Sequence, residues 1–350
     1  MVVMIFTPKI IILPIMAALI TFIAMPFVRK LSLKAGSVAL PGGRHIHKNI
    51  IPVGGGIAVF IGFLIAALFL NDSSIEVFGY LIGAAVITAV GMIDDKFDIP
   101  PIAKFLGQIL AALIVIAAGV RVGFVGNLGN GNDGIFYLGF LSLPFTFFWI
   151  IGLTNAINFI DGIDGLAGGV SGIAACTLGI VSLFSGRYDV AVLCFTLGAA
   201  AFAFLPSNFT DNPKKKIFLG DSGSGFLGYS LAVFSVMGTV KIAAVFSMLV
   251  PIMVLAIPIF DTGFAIVRRL LAGKSPFAAD KLHLHHRLID KGLSNKQTTY
   301  TIYGATLFFS IIAICFMKLN DISIVIIFLT TALAFLFVLW KLGLVKRQAK

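Results

Sequence analysis

The sequence predicts an all-α polytopic membrane protein, and three observations carry that expectation. Of 350 residues, 59% are hydrophobic and 12% charged, with a mean hydropathy of +1.05. A water-soluble domain of this length has too little interior to hide that composition. The apolar residues recur in stretches of about twenty, the length a helix needs to cross ~30 Å of hydrocarbon, and lack the alternating pattern of a barrel. The 26 lysines and arginines fall mainly between these stretches, on one alternating set of loops.

Eleven spans are expected. The first, residues 7–28, has neither a charged leader nor a small-residue cleavage site, so it reads as a retained helix and not a signal peptide. The next follow at 54–70, after Gly54-Gly55-Gly56, at 77–93, ending on Asp94-Asp95, and at 103–120, opened by Pro100-Pro101. Further apolar runs lie at 138–155, 167–184, 190–206, 223–239, 243–267, 299–317 and 322–340. With the N-terminus outside, 21 basic residues face the cytoplasm, and five (Lys9, Arg121, Arg187, Lys241 and Lys318) face outward. That asymmetry fixes the orientation and accounts for the net charge of +11 without nucleic acid. Residues 1–350 read as a single membrane-embedded domain, and Cys176, Cys194 and Cys315, lying singly in predicted spans, read as packing residues.

Charge is so sparse that each polar cluster is a functional candidate. All four clusters lie at cytoplasmic helix ends, as in a composite site built from loops on a rigid bundle. A transporter would more often carry ionisable groups near mid-bilayer, and only Asp261 fits that description. Asp94 and Asp95 stand where a helix C-terminus already bears partial negative charge, so they need a nearby cation. Asp98 reads equally as a ligand or as the cap of the fourth span. Lys104 is placed to face a phosphate at this corner, or to snorkel at the surface.

Asn155, Asn158, Asp161 and Asp164 recur at every third position and share one face of a tight helical turn, with Gly162 and Gly165 allowing a compact ligand loop. Oxygen donors of this kind suit a hard cation, a nucleobase or a pyrophosphate. Gly220-Asp221-Ser222-Gly223-Ser224 opens a span after Lys214-Lys215-Lys216; its amides are candidates for a phosphate and Asp221 for a metal. It lacks the Gly-Lys-Ser/Thr ending of a Walker loop. His283-Leu284-His285-His286-Arg287, with Lys274 and Lys281, reads as a hydrogen-bond-donating wall for a polyphosphate, with zinc as the weaker reading. Arg44, His45, His47 and Lys48 in the first cytoplasmic loop make a second basic wall.

Jointly these motifs resemble the polyprenyl-phosphate N-acetylhexosamine-1-phosphate transferases over nearly the whole chain. The Asp94-Asp95 pair, the Asn155–Leu166 segment and the Gly220–Ser224 turn match that family, and His-x-His-His-Arg after Ser275-Pro276-Phe277 is most similar to its bacterial UDP-N-acetylglucosamine-using branch. The resemblance implies transfer of N-acetylglucosamine 1-phosphate from UDP-N-acetylglucosamine to undecaprenyl phosphate in the plasma membrane, with release of UMP, as the first step of an envelope glycopolymer such as teichoic acid or lipopolysaccharide. Another UDP-N-acetylhexosamine or a UDP-muropeptide is the alternative donor, and a transporter the alternative class.

It further implies Mg²⁺, with Mn²⁺ as a substitute, on Asp221 and Asn158, and catalytic roles for Asp94, Asp95, Asp161 and Asp164. Lys48, Asp98, Lys104, Asn155, Asn158, His283, His285, His286 and Arg287 would bind substrate. The partners expected are the UDP-sugar donor, the polyprenyl phosphate and the membrane, with a homodimer as one candidate assembly. A general-base role for Asp94 sits poorly with a phosphate monoester whose second pKa is about 6, because that nucleophile is already dianionic at neutral pH.

Overall fold

The computed structural model describes residues 8–40, 50–72, 74–126, 135–239, 248–271, 273, 275, 283–319 and 321–341. Lys48, with its neighbours Arg44, His45 and His47, lies outside them, as do Lys274 and Lys281. The chain is a bundle of α-helices. Among the described residues, seven helical segments are long and apolar enough to cross a membrane, as expected of an all-α polytopic membrane protein.

Helix α1 (Lys9–Ala35) ends at Gly36, whose φ of 76° closes the helix in the left-handed region. It turns lipid-side residues such as Ile11, Ile15, Phe22 and Phe27 outward and packs its other face on α2 (Gly55–Leu68) and α7 (Tyr188–Asn208). Helices α3 (Ile75–Phe97) and α4 (Pro101–Ala117) form a hairpin, followed by α5 (Ser142–Ile160) and α6 (Leu166–Phe184). The expected second and fourth spans are shorter than predicted, at 14 and 17 residues.

Helix α8 (Gly220–Thr239) occupies the centre, against α2, α3, α5, α6 and α7. Its glycines and serines suit that position: Ser222, Ser224, Phe226, Tyr229, Ser230 and Phe234 are fully buried. The packing at its start is backbone on backbone. A Cβ on Gly56 would stand 2.0 Å from Gly223 Cα, and one on Gly91 would stand 2.4 Å from Ser222 Cα. No larger residue fits at either place without moving a helix.

The expected span at 243–267 is divided. Residues 248 onward form α9 (Leu249–Val254) and α10 (Ala256–Leu271), with Leu255 between them outside helical geometry. Pro258 explains the break, because it has no N–H to return to the carbonyl of Val254. Then come a short α11 (Leu284–Asp290), α12 (Asn295–Phe316), started by a Ser294–Gln297 capping box, and α13 (Asp321–Lys341), which exposes Ile322, Ile326, Leu329 and Leu333. Two small antiparallel pairs were not anticipated. Val38–Ala39 pairs with Ile51–Pro52, and Phe124–Gly126 with Ile135–Tyr137.

Candidate active site

Asp94 and Asp95 occupy the last turn of α3 and face different partners. Asp94, buried, accepts the Ile99 amide at 3.0 Å and the Lys104 ammonium at 2.9 Å. Asp95 accepts the backbone amides of Asp221 and Ser222 at 2.6 and 3.2 Å and the Ser222 hydroxyl at 2.6 Å. It therefore caps α8 from another helix, supplying the negative charge that the positive end of α8 favours. The expectation that these amides bind phosphate is corrected, since Asp95 already holds the first two. Gly220 has φ 78°, and a Cβ there would stand 2.5 Å from Asp95 Oδ2.

Lys104, in the first turn of α4, places its ammonium 2.8 Å from Asp221 as well as against Asp94. It is the cation that the aspartate cluster requires, and it joins the first and third motifs in one ion-pair network. Asp98 does not cap α4: it closes α3 in the left-handed region at φ 48°, its N–H bonded to the Asp94 carbonyl, and Pro100 stands at the α4 N-cap without a side-chain bond.

On α5 the three-residue spacing splits between two jobs. Asn155 exchanges amide hydrogen bonds with Gln108 of α4 at 2.6 and 3.2 Å and also bonds the Ile151 carbonyl, which ties α5 to α4. Asn158 donates to Ser224 at 2.8 Å and also interacts with the Asp221 carboxylate. Asp161 caps the end of α5 beside Asp221, Asp95 and Asp164. Burial, reinforced by those three negative neighbours, pushes its carboxyl well above the usual carboxylate range. Asp164 is held by Lys216.

The loop carrying Asp161 and Asp164 is fixed from behind by groups that sequence reasoning missed. The Asn208 side chain accepts the Gly165 N–H and donates to the Ile217 carbonyl at 2.9 Å, and the Tyr303 hydroxyl donates to the Gly165 carbonyl at 2.5 Å. A lone amide after the apolar run of α7 was the available signal for Asn208.

The histidine cluster approaches from the opposite side, on α11. His285 is only 2% exposed, neither ring nitrogen has a hydrogen-bond partner, and its Nε2 lies where a Cβ on Gly162 would come within 2.3 Å. Burial, with His286 alongside, lowers its pKa to about 3, so the ring is neutral and not part of a uniformly cationic wall. His283 and His285 lie parallel, 6.1 Å between centroids, and Phe159 of α5 sits 5.7 Å from His283. Two buried nitrogens of the Arg287 guanidinium have no partner. Buried donors without a partner leave hydrogen-bonding capacity for a ligand.

The oxygens near Asp221 are carboxylates, a hard set suited to Mg²⁺, while Asn158 turns its NH₂ to Ser224 and to the Asp221 carboxylate. Among the described residues, no three His, Cys, Asp or Glu side chains converge as a finished metal cage. Mg²⁺ ordinarily takes one or two protein carboxylates and completes its shell with substrate phosphate and water, so the residues present fit it.

Comparison with known proteins decides the family. The glycosyl transferase family 4 profile matches residues 77–239, from α3 to the end of α8, thus enclosing the three acidic clusters. A probable undecaprenyl-phosphate N-acetylglucosaminyl 1-phosphate transferase of Bacillus subtilis is 37% identical over 328 residues, covering 92% of this chain and 90% of the relative. The chain belongs to glycosyl transferase family 4. A decaprenyl-phosphate N-acetylglucosaminephosphotransferase of Mycolicibacterium smegmatis is 34% identical, covering 82% of this chain and 77% of the relative. An undecaprenyl-phosphate alpha-N-acetylglucosaminyl 1-phosphate transferase of Salmonella typhi is 32% identical, covering 80% and 76%. This glycosyl transferase is thus a membrane-embedded enzyme whose candidate site gathers residues of α3, α4, α5, α8 and α11.

Proposed function

We propose that this enzyme transfers N-acetylglucosamine 1-phosphate from UDP-N-acetylglucosamine to undecaprenyl phosphate at the cytoplasmic face of the bacterial plasma membrane, releasing UMP and opening the synthesis of an envelope glycopolymer. The observation that carries the reading is the Lys104 ammonium held between Asp94 and Asp221, with His285 of α11 packed against Gly162 in the loop that carries Asp161 and Asp164. The activities for which the Bacillus and Salmonella relatives are named support the sugar and the lipid acceptor. Residues 1–350 act as one unit, with eleven crossings and the N-terminus outside, an orientation supported by the excess of basic residues on the site's side.

The carrier phosphate lies at the membrane surface, because its polyprenyl chain cannot leave the bilayer, and Lys104 orients it. Its dianion attacks the sugar-bearing phosphorus of the donor; a new P–O bond forms, the pyrophosphate bridge breaks, and UMP departs with the bridging oxygen and its electron pair. Little deprotonation is needed, since the second pKa of the phosphate is about 6. Asp94, already bonded to Ile99 and Lys104, holds the lysine in place. Asp221 and Asn158 would hold Mg²⁺, which when bound offsets charge on the donor pyrophosphate. Arg287 donates to the donor phosphates, the histidines line the same face of the donor, and Asp161 and Asp164 shape the nucleotide side.

The test is conversion of labelled UDP-N-acetylglucosamine and undecaprenyl phosphate by purified protein in detergent, alongside UDP-N-acetylgalactosamine and a UDP-muropeptide. Lipid-linked product and UMP from the first donor are expected, and Asp221→Asn should fold but lose nearly all turnover at limiting Mg²⁺. Absence of lipid product with every donor would overturn the proposal, and preference for another donor would reassign the sugar.

A further inference from the structure

Asp261 stands apart from the carboxylate cluster, yet both its oxygens are engaged. It lies on α10, is 7% exposed, and reaches α11: Oδ1 accepts the Leu284 N–H at 2.7 Å, and Oδ2 lies 2.8 Å from Nδ1 of His283, itself 5% exposed. The charged residue that in the sequence suggested an ion pathway is thus tied to the histidine segment.

We propose that Asp261 is the positioning residue of the donor-facing segment, acting through His283; the inference rests on the reading of α11 as that segment. Helix α11 has only seven residues, too few to hold a helical conformation unaided, and its N-cap residue His283 makes no side-chain cap bond. Asp261 supplies that cap from outside, accepting the first amide of the helix. A carboxylate only accepts, so its second bond requires the imidazole hydrogen on Nδ1 and leaves Nε2 of a neutral ring as an acceptor for a hydroxyl or N–H of the donor sugar or nucleotide. One side chain therefore fixes where α11 starts and which way His283 presents its lone pair. Placement has little slack, because His285, two residues on, touches the Gly162 backbone, and His283 lies parallel to His285 and over Phe159.

Asp261→Asn separates the two functions. Its amide oxygen can still cap Leu284, but its NH₂ then faces Nδ1 and drives the imidazole hydrogen to Nε2. In the full-length enzyme in detergent, kcat/KM for the UDP-sugar should fall at least tenfold while the KM for polyprenyl phosphate stays within twofold. Because Asp261 works through His283, the Asp261→Asn/His283→Ala double variant should be no slower than His283→Ala alone. Should Asp261→Asn fail to purify as a single species, Asp261→Glu, which keeps the charge one methylene too far out, should show the same donor-selective loss. Wild-type donor kinetics in whichever variant is measured, equal loss toward both substrates, or multiplying defects in the double variant would overturn the proposal. A wild-type enzyme that makes no lipid product would instead refute the reaction assignment.

Discussion

Replacing Asp95 distinguishes a capping carboxylate from a chemical one. Its three hydrogen bonds, at 2.6, 3.2 and 2.6 Å, satisfy two backbone amides and a buried hydroxyl at the start of α8. Loss of an ordinary N-cap costs about 0.5–2 kcal/mol, and a hydrogen bond to a charged group is worth ~1.5–3 kcal/mol. These contributions overlap, so Asp95→Ala should destabilise the protein by about 3 kcal/mol in all. Asp95→Asn keeps one acceptor oxygen and removes the charge at the helix end, a loss of about 1–2 kcal/mol. Thermal unfolding in detergent, read alongside turnover, should give an apparent melting temperature several degrees lower for Asp95→Ala and an intermediate value for Asp95→Asn. Turnover should fall in the same order, because α8 carries Asp221. Wild-type melting in Asp95→Asn together with complete loss of turnover would refute the capping argument and return Asp95 to the chemistry.

Lys104→Gln should bind Mn²⁺ severalfold more tightly than wild type in the absence of substrates, measured by electron paramagnetic resonance, because the lysine no longer competes for Asp221; weaker or unchanged binding would count against a shared position. Gly162→Ala adds a Cβ within 2.3 Å of His285 Nε2, an overpacking of about 1–3 kcal/mol, and should raise the donor KM with the carrier KM unchanged. His285 is held neutral with its pKa down at about 3, against about 6.5 unfolded. The unfolded chain therefore binds the extra proton first, and stability present above pH 6.5 should decline as pH falls toward 3. A melting series from pH 7 to 4 should show a shallower decline in His285→Gln than in wild type, and parallel curves would exclude His285 as a source.

The membrane-spanning character was legible because hydropathy is a property of whole segments. Residues 77–93 and 190–206 fall within α3 and α7 because a buried backbone in lipid has helix as its simplest solution. The grouping of Asp94, the Asn155 and Asn158 amides and Asp221 was legible as chemistry but not as wiring. Spacing put Asn155 and Asn158 on one face, and only the neighbouring helices show that Gln108 takes the first while Ser224 takes the second. Asp95 and Asp94 are adjacent in sequence and opposite in role, since successive helical residues point about 100° apart. Asp261 looked like a mid-bilayer charge because its partner, His283, lies 22 residues away across a helix break.

The glycine seam at Gly56, Gly91 and Gly223 has a consequence for how the chain matures. The start of α8 docks between α2 and α3 with backbone touching backbone, and those two helices leave the ribosome well over a hundred residues before it. Until α8 arrives, Asp95 has no amides to accept and the slot beside Gly91 stands empty. A nascent chain halted anywhere before that point holds its acidic residues unassembled, so the carboxylate cluster forms late and in one step, with the insertion of a single helix, and α11 joins it afterwards.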